Sequence, residues 1–385
     1  MKTPLRSAFI LNRNTTAYSD LAMQLIVICI IAASIVLLAI NLAGNLEERS
    51  IRSGFGFLWH SSGFEISQTL IPFSPKDSYA AALVSGLLNT IIITIIAIII
   101  ATLSGALIGV AALSRNPSVY VIARIYIEWV RNIPLLVQLY IWYAVFTQMM
   151  PSYQEAHKLL PNVYLDSTGL HFPVIQNIHS TGLISFVIGV IAIYIYQWTQ
   201  KKYETKPNIL ISLFLLLTPI FIFIAWKIYI SDFNPPELTN FGFNGGGVLL
   251  PEFLALLCGL TIYNAAFIAE IFRAGMLSVP AGQREAGAAL GLSCNIVTLK
   301  IVLPQAMILI RPPLSNQYLN IMKNTSLAIA IGYPDLMSIT NTIINQTGQA
   351  IEIIALTMGI YFVLSLLITT FLNHRNKKIL QNMGR

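Results

Sequence analysis

The chain carries no Asp, Glu, Lys, Arg or His between Asp77 and Arg115, a stretch rich in isoleucine, leucine and alanine. About 20 consecutive apolar residues are enough for a helix to cross a bilayer, so this stretch predicts a membrane-spanning helix. Only 10% of the 385 residues are charged and the mean hydropathy is +0.71, whereas soluble domains carry about 25% charged residues. The sequence therefore predicts an integral membrane protein.

Eight stretches in all are long and apolar enough to span a membrane. They lie near 21–42, 83–113, 119–148, 182–199, 208–230, 248–277, 304–332 and 350–372. The seventh contains two charged residues, and its Pro312-Pro313 pair predicts a kink or a break. We therefore expect an all-α fold with about eight transmembrane helices.

The distribution of Lys and Arg predicts the orientation of these helices. If the N-terminus is cytoplasmic, an even number of spans places both termini in the cytoplasm. Of the 23 Lys and Arg residues, four then lie outside, Lys227 and Lys323 are counted as membrane-embedded, and the other 17 are counted as inside, including Arg124, Arg131, Arg273 and Arg311 within the approximate span bounds. This excess follows the positive-inside rule. It explains the net charge of +7 without nucleic acid as a partner, because the basic residues are scattered rather than clustered.

The external segments and the cysteines offer few candidate sites. The three cysteines are Cys29, Cys258 and Cys294. They predict neither a disulfide nor a metal site. The histidines of the segment 149–181 are His157, His171 and His179. Their spacing matches no metal-ligand pattern, so we expect solvated loop histidines. No Lys-Ser/Thr pair follows Gly245–Gly247, and we expect a flexible loop there rather than a phosphate cradle.

The segment 278–304, between the sixth and seventh predicted spans, combines polar residues with helix-capping signals. Ser278 suits an N-cap, Pro280 suits the first turn, and Gly291 suits the end of a short helix. A second helix is predicted from Ser293 to Leu303, where Pro304 stops it. The first of these two helices has a surface of small side chains, mostly Ala. The residues alone leave two interpretations open: a docking element for a cytoplasmic partner, and a surface helix with nothing bound.

Five stretches carry a resemblance to a known family. Glu285-Ala286-Gly287, three residues, Gly291, nine residues and Ile301 to Pro304 resemble the EAA loop of the permease subunits of bacterial ABC importers, with Gly287 where the family has Ala. RNIPLLVQ at 131–138 and YNAAFIAEIFRAG at 263–275 are similar to the polar amino-acid subgroup. The stretches at 316–336 and 345–352 resemble its general L-amino-acid permeases.

The resemblance implies a core of five spanning helices, formed by the second, third, sixth, seventh and eighth predicted spans. The first span is then an added anchor, and the fourth and fifth form a two-helix insertion. The implied parts are an N-terminal anchor region (1–82), the first part of the core (83–150), the insertion (151–247), the second part of the core (248–372) with the loop 278–304, and a basic tail (373–385).

The resemblance also implies a function. Permeases of this family import substrate across the bacterial inner membrane, and their EAA loop seats on a separate ATPase. The chain contains no G-x-x-x-x-G-K-[ST] motif, so ATP and Mg are expected on a partner ATPase dimer and no cofactor on this chain. Further implied partners are a second related permease, a periplasmic amino-acid-binding protein and membrane lipid. The implied coupling residues are Pro280, Gly282, Glu285, Ala286, Gly287, Gly291, Leu292, Leu303 and Pro304.

Ionisable residues in or near spans are candidates for a substrate pathway, because charge is costly in lipid. Glu270 and Arg273 share a helix face, where they either meet the charged groups of an amino acid or pair with each other. A polar run deep in an apolar span, such as 323–326, is tolerated where it faces a cavity or a partner helix. The candidates are Arg131, Asn132, Glu270, Arg273, Lys323, Asn324, Thr325 and Ser326.

Two other classes of protein are compatible with a polytopic chain. An ion-coupled secondary amino-acid transporter usually shows inverted repeats. We find no repeat between the two halves, and the EAA loop has no role in such a transporter. A membrane-embedded enzyme needs converging His, Asp, Glu or Cys side chains, and the predicted spans hold few of these. We therefore expect a non-catalytic permease subunit, with the secondary transporter as the alternative.

Overall fold

The computed structural model describes residues 23–34, 36–38, 40–41, 44, 54–175 and 233–383. The α-helices, numbered in chain order, are α1 (helical residues 23–34 and 36–38), α2 (Tyr79–Ala111), α3 (Pro117–Asn132), α4 (Leu135–Ala144), α5 (Pro251–Leu277), α6 (Ala281–Ala289), α7 (Leu303–Asn324), α8 (Leu336–Thr347) and α9 (Ala350–Met383). The strands are β1 (His157–Leu160), β2 (Val163–Asp166), β3 (Gly169–Phe172), β4 (Val174–Ile175), β5 (Phe233–Asn234), β6 (Glu237–Thr239), β7 (Gly242–Asn244) and β8 (Gly247–Leu249).

Four helical segments are long and apolar enough to cross a membrane, so the chain is a multi-pass membrane protein. They are Tyr79–Ala111, Pro251–Leu277, Cys294–Ile331 and Ala350–Leu372. They match the second, sixth, seventh and eighth predicted spans, which are confirmed as helices. The first predicted span contains the shorter apolar helix Met23–Leu38. The fourth and fifth lie outside the described residues, so the count of eight and the orientation stay predictions.

The third predicted span, 119–148, is wrong as a single helix. The chain leaves the helical conformation at Ile133, whose ψ is 124°, and a new helix begins after Pro134. Proline has no N–H and disfavours helical geometry in the residue before it, so α3 ends there. The side-chain amide of Gln138 donates to the carbonyl oxygens of Val130 and Ile133, each at 3.0 Å. These bonds satisfy backbone groups that the break releases.

Of the kink or break predicted at Pro312 and Pro313, the break does not occur, because α7 runs through both prolines without interruption. The predicted stop at Pro304 does not occur either. A helical turn at Cys294–Ile296 and a wider π-type turn at Val297–Val302 lead directly into α7, and Pro304 lies in its first turn. A widened turn ahead of a proline tolerates the missing backbone donor, and the helix therefore continues.

Helix α5 is the centre of the helical bundle. In the most apolar stretch of α5, 61% is buried inside the chain. The corresponding share for α9 is 11%. Helix α2 approaches it through two glycines. A Cβ atom on Gly105 would lie 2.7 Å from Ile268 Cβ, and one on Gly109 would lie 2.6 Å from the carbonyl oxygen of Ala269. Small residues allow membrane helices to pack this closely, so the glycines set the distance between α2 and α5.

The link between α7 and α8 is not α-helical, and polar side chains satisfy its backbone. Residues Thr325–Ile331 form a 3-10 helix that ends at Gly332, and Asp335 caps α8 by accepting a hydrogen bond from the Ser338 amide at 2.8 Å. Thr90 of α2 accepts from the Leu336 amide at 3.0 Å. Irregular backbone at membrane depth must be buried in protein or line a cavity, and here α2 and α9 contact it through Thr90 and Tyr361.

The segment between α4 and α5 contains β-structure, so the expectation of an all-α fold is wrong there. Strands β1, β2, β3 and β8 form a four-stranded sheet in that order with antiparallel neighbours, and β6 and β7 form a hairpin. Strand β4 pairs antiparallel with β5, which brings Val174 beside Asn234. The described residues on either side of 176–232 therefore lie next to each other.

Two expectations for this segment are corrected. Gly245 and Gly246 form a loop as expected, but Gly247 begins strand β8. The first two glycines have φ of +76° and +63°, and a Cβ on any of the three would lie within 2.7 Å of a neighbouring atom. His171 is buried rather than solvated, since it stacks on Phe243 at 4.4 Å and lies 3.4 Å from the Asp166 carboxylate. His157 is exposed, and His179 lies outside the described residues.

Candidate functional site

The loop 278–304 contains one exposed helix, α6, between the two spanning segments. Its N-cap position is Pro280, so the prediction of Ser278 as the N-cap is wrong. Ser278 still belongs to the last turn of α5, where its hydroxyl donates to the Ala274 carbonyl at 2.8 Å. The Arg284 guanidinium donates to the Met276 carbonyl at 2.8 Å. This bond ties α6 to the C-terminal end of α5.

The end of α6 is as predicted. Gly291 has φ of +74°, a left-handed conformation that glycine adopts readily, and it ends the helix. The Leu292 amide donates to the Gly287 carbonyl at 3.2 Å, and the Leu290 amide donates to the Ala286 carbonyl at 3.1 Å. These bonds satisfy carbonyl groups that a helix end leaves free. Ser293 occupies the next N-cap position, but its side chain makes no capping bond.

Only one residue of α6 is buried. A Cβ atom on Gly287 would lie 2.8 Å from Cγ2 of Val297, so the methyl group of the family's usual alanine does not fit here without a shift. This contact gives the departure from the EAA pattern a local physical reason. Glu285, by contrast, is exposed and makes no ion pair or side-chain hydrogen bond with any described residue.

Most of the predicted coupling residues are exposed in the loop that carries α6. Gly287 faces inward, Leu303 is half-buried, and the rest of the predicted set is exposed. The exposed members are Pro280, Gly282, Glu285, Ala286, Gly291, Leu292 and Pro304.

A charged cluster connects α3 with α5. The Arg273 guanidinium donates to both carboxylate oxygens of Glu270, at 2.9 and 2.5 Å. Arg124 lies 3.5 Å from Glu270 and 2.5 Å from Glu128. The sequence left two roles open for Glu270 and Arg273. The geometry favours an ion pair between them, because each side chain already neutralises the other.

A pocket of about 320 Å³ lies next to this cluster. Arg131 lines it with its guanidinium 5.1 Å from the centre of the Phe267 ring, and Glu270 lines it as well. Gln317 reaches it from α7 and donates to Asn264 at 2.7 Å. Asn132 is exposed at the end of α3. The structure therefore brings Arg131 together with Glu270, and Arg273 joins them through Glu270.

The polar run 323–326 lies elsewhere. Lys323 is exposed and lines a second pocket, of about 460 Å³, formed by α7, α8 and α9. Thr325 is fully buried, and its hydroxyl donates to the Met322 carbonyl at 2.8 Å. Ser326 donates to the Lys323 carbonyl, and Asn324 is half-buried. The predicted substrate residues thus divide into two groups on different faces of the bundle.

Arg124, Glu128 and Gln317 were not predicted as site residues. A signal was present for the first two, because Arg124 and Glu128 are four residues apart on one helix, a spacing that favours ion pairs. Gln317 carried no comparable signal, since its partner Asn264 lies 53 positions away in the chain. Only the packing of α7 on α5 brings these two amides together.

Replacing Glu270 with glutamine is expected to destabilise the chain more than replacing Glu128 with glutamine. Glu270 accepts two hydrogen bonds from Arg273 and is 25% exposed, whereas Glu128 is 57% exposed and pairs with Arg124 alone. Discounted for solvent screening, the expected loss for Glu270→Gln is about 1 kcal/mol. Thermal unfolding of the purified chain in detergent measures it. Unchanged unfolding with reduced uptake would instead identify Glu270 as a substrate contact.

Comparison with known proteins places the chain in a family. A family model described as the binding-protein-dependent transport system inner membrane component matches residues 207–379. The chain is 40% identical over 372 residues to the general L-amino acid transport system permease protein AapQ of Rhizobium johnstonii, covering 94% of this chain and 92% of that one. It is 39% identical over 350 residues to the putative amino-acid ABC transporter permease protein YhdX of Escherichia coli, covering 88% of each.

A third relative is the glutamate/glutamine/aspartate/asparagine transport system permease protein BztB of Rhodobacter capsulatus. It is 36% identical over 403 residues, and the match covers 94% of each chain. The chain therefore belongs to the family of binding-protein-dependent transport system inner membrane components. The family prediction made from the EAA loop is confirmed, and the alternative of a self-contained secondary transporter is not favoured.

Proposed function

We propose that the chain is the transmembrane permease subunit of an ATP-driven importer that carries polar L-amino acids across the bacterial inner membrane. The names of the relatives support this substrate class, since one refers to general L-amino acids and another to glutamate, glutamine, aspartate and asparagine. A broad range of polar amino acids is the simplest substrate class that agrees with both. The chain itself catalyses no reaction.

The exposed helix α6 is the observation that carries the mechanical part of this proposal. It projects from the bundle, and its inner contacts connect it to both neighbouring spans: Arg284 bonds to the end of α5, and Gly287 packs on Val297, which leads into α7. A force on α6 therefore reaches α5 and α7 together. We propose that α6 docks into an ATPase subunit through Pro280, Gly282, Glu285, Ala286, Gly291 and Leu292. Gly287 and Leu303 support α6 from inside, and the exposed Pro304 lies beside it.

The motor and the remaining parts of the pathway lie in other chains under this proposal. An ATPase dimer binds ATP and Mg, since this chain has no phosphate-loop motif. A second related permease covers part of the exposed apolar surface of α2, α7 and α9, and lipid covers the rest. A periplasmic amino-acid-binding protein delivers the substrate. Antiparallel pairing of β4 with β5 is compatible with the proposed two-helix insertion 151–247, because a chain that crosses the membrane twice returns to the same side.

The substrate-pathway residues are proposed with unequal weight. Glu270 and Arg273 satisfy each other, and Arg131 stacks on Phe267, so these residues offer little free charge. Arg131 and Glu270 line the 320 Å³ pocket, whereas Asn132 is exposed at the end of α3. Lys323 has no such partner among the described residues. We propose that Lys323, followed by Asn324, Thr325 and Ser326, lies closest to the route of the amino acid.

Reconstitution tests the proposed function. The chain is placed in proteoliposomes with its partner permease and ATPase, and uptake of labelled L-glutamine is measured with the binding protein outside. Uptake is expected only when ATP reaches the ATPase and the binding protein is present. Uptake by this chain alone, driven by an ion gradient, would contradict the proposal and restore the secondary transporter.

A further inference from the structure

A groove of about 380 Å³ lies between the end of α2 and the first half of α3. Its walls are Ile108, Ala111, Val119, Ile122, Ala123 and Tyr126. The only polar side-chain group of this lining is the Tyr126 hydroxyl, and it already donates to the Ile262 carbonyl at 2.7 Å. Burying a polar group without a hydrogen bond is costly, so this α2–α3 groove suits a hydrocarbon ligand.

The α2–α3 groove lies at the same end of the bundle as α6. A Cβ atom on Gly105 would meet Ile268, and one on Gly109, four residues later, would meet Phe272, which is also four residues later. Helices α2 and α5 therefore run in the same direction, and their C-terminal ends lie on one side. The groove lies beside the end of α2, and α6 follows the end of α5, so both are on the side predicted to be cytoplasmic.

The length of the groove matches one leaflet of a bilayer. Its lining ends at Tyr126, nine positions after α3 begins at Pro117. At about 1.5 Å per residue this is about 14 Å along the helix. The hydrocarbon core of a bilayer is about 30 Å thick, so one leaflet supplies about 15 Å. Ile122, Ile125 and Trp129 of α3 are exposed, as expected of a helix surface that contacts lipid.

An unpaired cation lies at the open end of the groove. Arg115 is in the turn between the two helices, four residues after Ala111 and four before Val119. It is exposed and makes no ion pair or side-chain hydrogen bond with the residues that the structure describes. Arg124, the next basic residue, is neutralised by Glu128 and Glu270. The turn 112–118 contains no acidic residue, so its charge is positive.

We infer that the α2–α3 groove binds an anionic phospholipid, with one acyl chain between the helices and the lipid phosphate on the Arg115 guanidinium. A guanidinium donates two parallel hydrogen bonds to a phosphate. Basic residues beside pockets between membrane helices, on the cytoplasmic side, recognise anionic headgroups in this way. A zwitterionic lipid has the same chains, but the cation of its headgroup opposes Arg115. The charge at the groove therefore selects an anionic headgroup, and the apolar walls bind the chain.

Lipid binding to the assembled permease and ATPase complex in detergent tests this inference. Native mass spectrometry follows a titration with dioleoylphosphatidylglycerol, which is anionic, or with dioleoylphosphatidylcholine, which has the same chains and no net charge. We expect wild type to bind the anionic lipid about five- to tenfold more tightly, and Arg115→Gln to bind both lipids equally. Arg115→Lys keeps a preference for the anionic lipid. Lys76→Gln, which removes an exposed lysine just before the other end of α2, is the matched control and behaves as wild type.

A second pair of variants tests the apolar part of the groove. Val119→Trp places a large ring in the groove and leaves Arg115 in place, so it is expected to weaken the binding of both lipids. Val121→Trp makes the same change at an exposed position of α3 that does not line the groove, and it is expected to bind both lipids as wild type does.

Three results would overturn the inference. In the first, Arg115→Gln keeps the wild-type preference for the anionic lipid, or Val119→Trp binds both lipids as Val121→Trp does. In the second, inorganic phosphate alone raises the unfolding temperature of wild type but not of Arg115→Gln, so that the site takes a free anion. In the third, Arg115→Gln loses the ATPase on gel filtration and Lys76→Gln keeps it, so that Arg115 contacts the ATPase.

Discussion

Gly109→Ala is expected to destabilise the chain by about 2–3 kcal/mol, through overpacking between α2 and α5. The added Cβ would lie 2.6 Å from the carbonyl oxygen of Ala269 and 2.8 Å from Phe272 Cβ. Neither atom is the flexible end of a side chain, so the two helices must move apart. Because α5 is the most buried of the candidate spanning helices, this movement disturbs the whole bundle. Thermal unfolding in detergent and the monodisperse fraction on gel filtration measure the effect.

Gly359→Ala in α9 is the matched control. A Cβ atom at Gly359 meets no atom within 4 Å, and the residue lies inside a helix. Alanine favours helix over glycine by up to about 1 kcal/mol, so this variant is expected to be neutral or slightly more stable. Equal unfolding temperatures for Gly109→Ala and Gly359→Ala would show that α2 and α5 do not pack as closely as described.

Charge reversal at Glu285 is expected to reduce ATP-driven uptake by at least about tenfold, the size of effect that a like-charge contact at an interface produces. Glu285 is exposed on α6 and makes no ion pair with the described residues, so Glu285→Lys leaves the fold intact. The loss therefore reports on a contact with another chain. Uptake in proteoliposomes, co-purification of the ATPase and thermal unfolding of the isolated chain are measured together.

Glu237→Lys makes the same charge change on the exposed strand β6, remote from α6 in the chain, and is expected to keep full uptake and full ATPase co-purification. If Glu285→Lys transports and co-purifies as Glu237→Lys does, α6 is a surface helix without a docking role. If Glu285→Lys unfolds at a lower temperature than wild type, its loss of uptake has a structural cause and does not indicate a contact with the ATPase.

The positions of the long apolar helices could be predicted because their signal is local. A run such as 83–113 has no alternative to a helix in lipid, where each backbone group must find a partner within its own segment. The end of α6 could be predicted for the same reason, because a glycine in the left-handed conformation ends a helix whatever structure follows it. Prolines were less informative: Pro134 ends α3, whereas α7 passes through Pro312 and Pro313.

The candidate site was only partly predictable. The sequence identified Glu270 and Arg273 as candidates but left two roles open. The two hydrogen bonds from Arg273 to the Glu270 carboxylate favour an ion pair between them. It named Lys323 but did not show which groups surround it. Those neighbours come from α8 and α9, and their positions depend on the link between α7 and α8 that Asp335 and Thr90 hold in place.

By itself the sequence determined that this chain crosses a membrane, where four of its spanning helices lie, and, through the EAA spacing, which family it belongs to. Each of these depends on residues close together in the chain. The tertiary structure alone decided that α5 is central, that Gly105 and Gly109 set its distance from α2, and that a Cβ atom at Gly287 would press on Val297. These features are distances between residues far apart in sequence, and only packing brings such residues together.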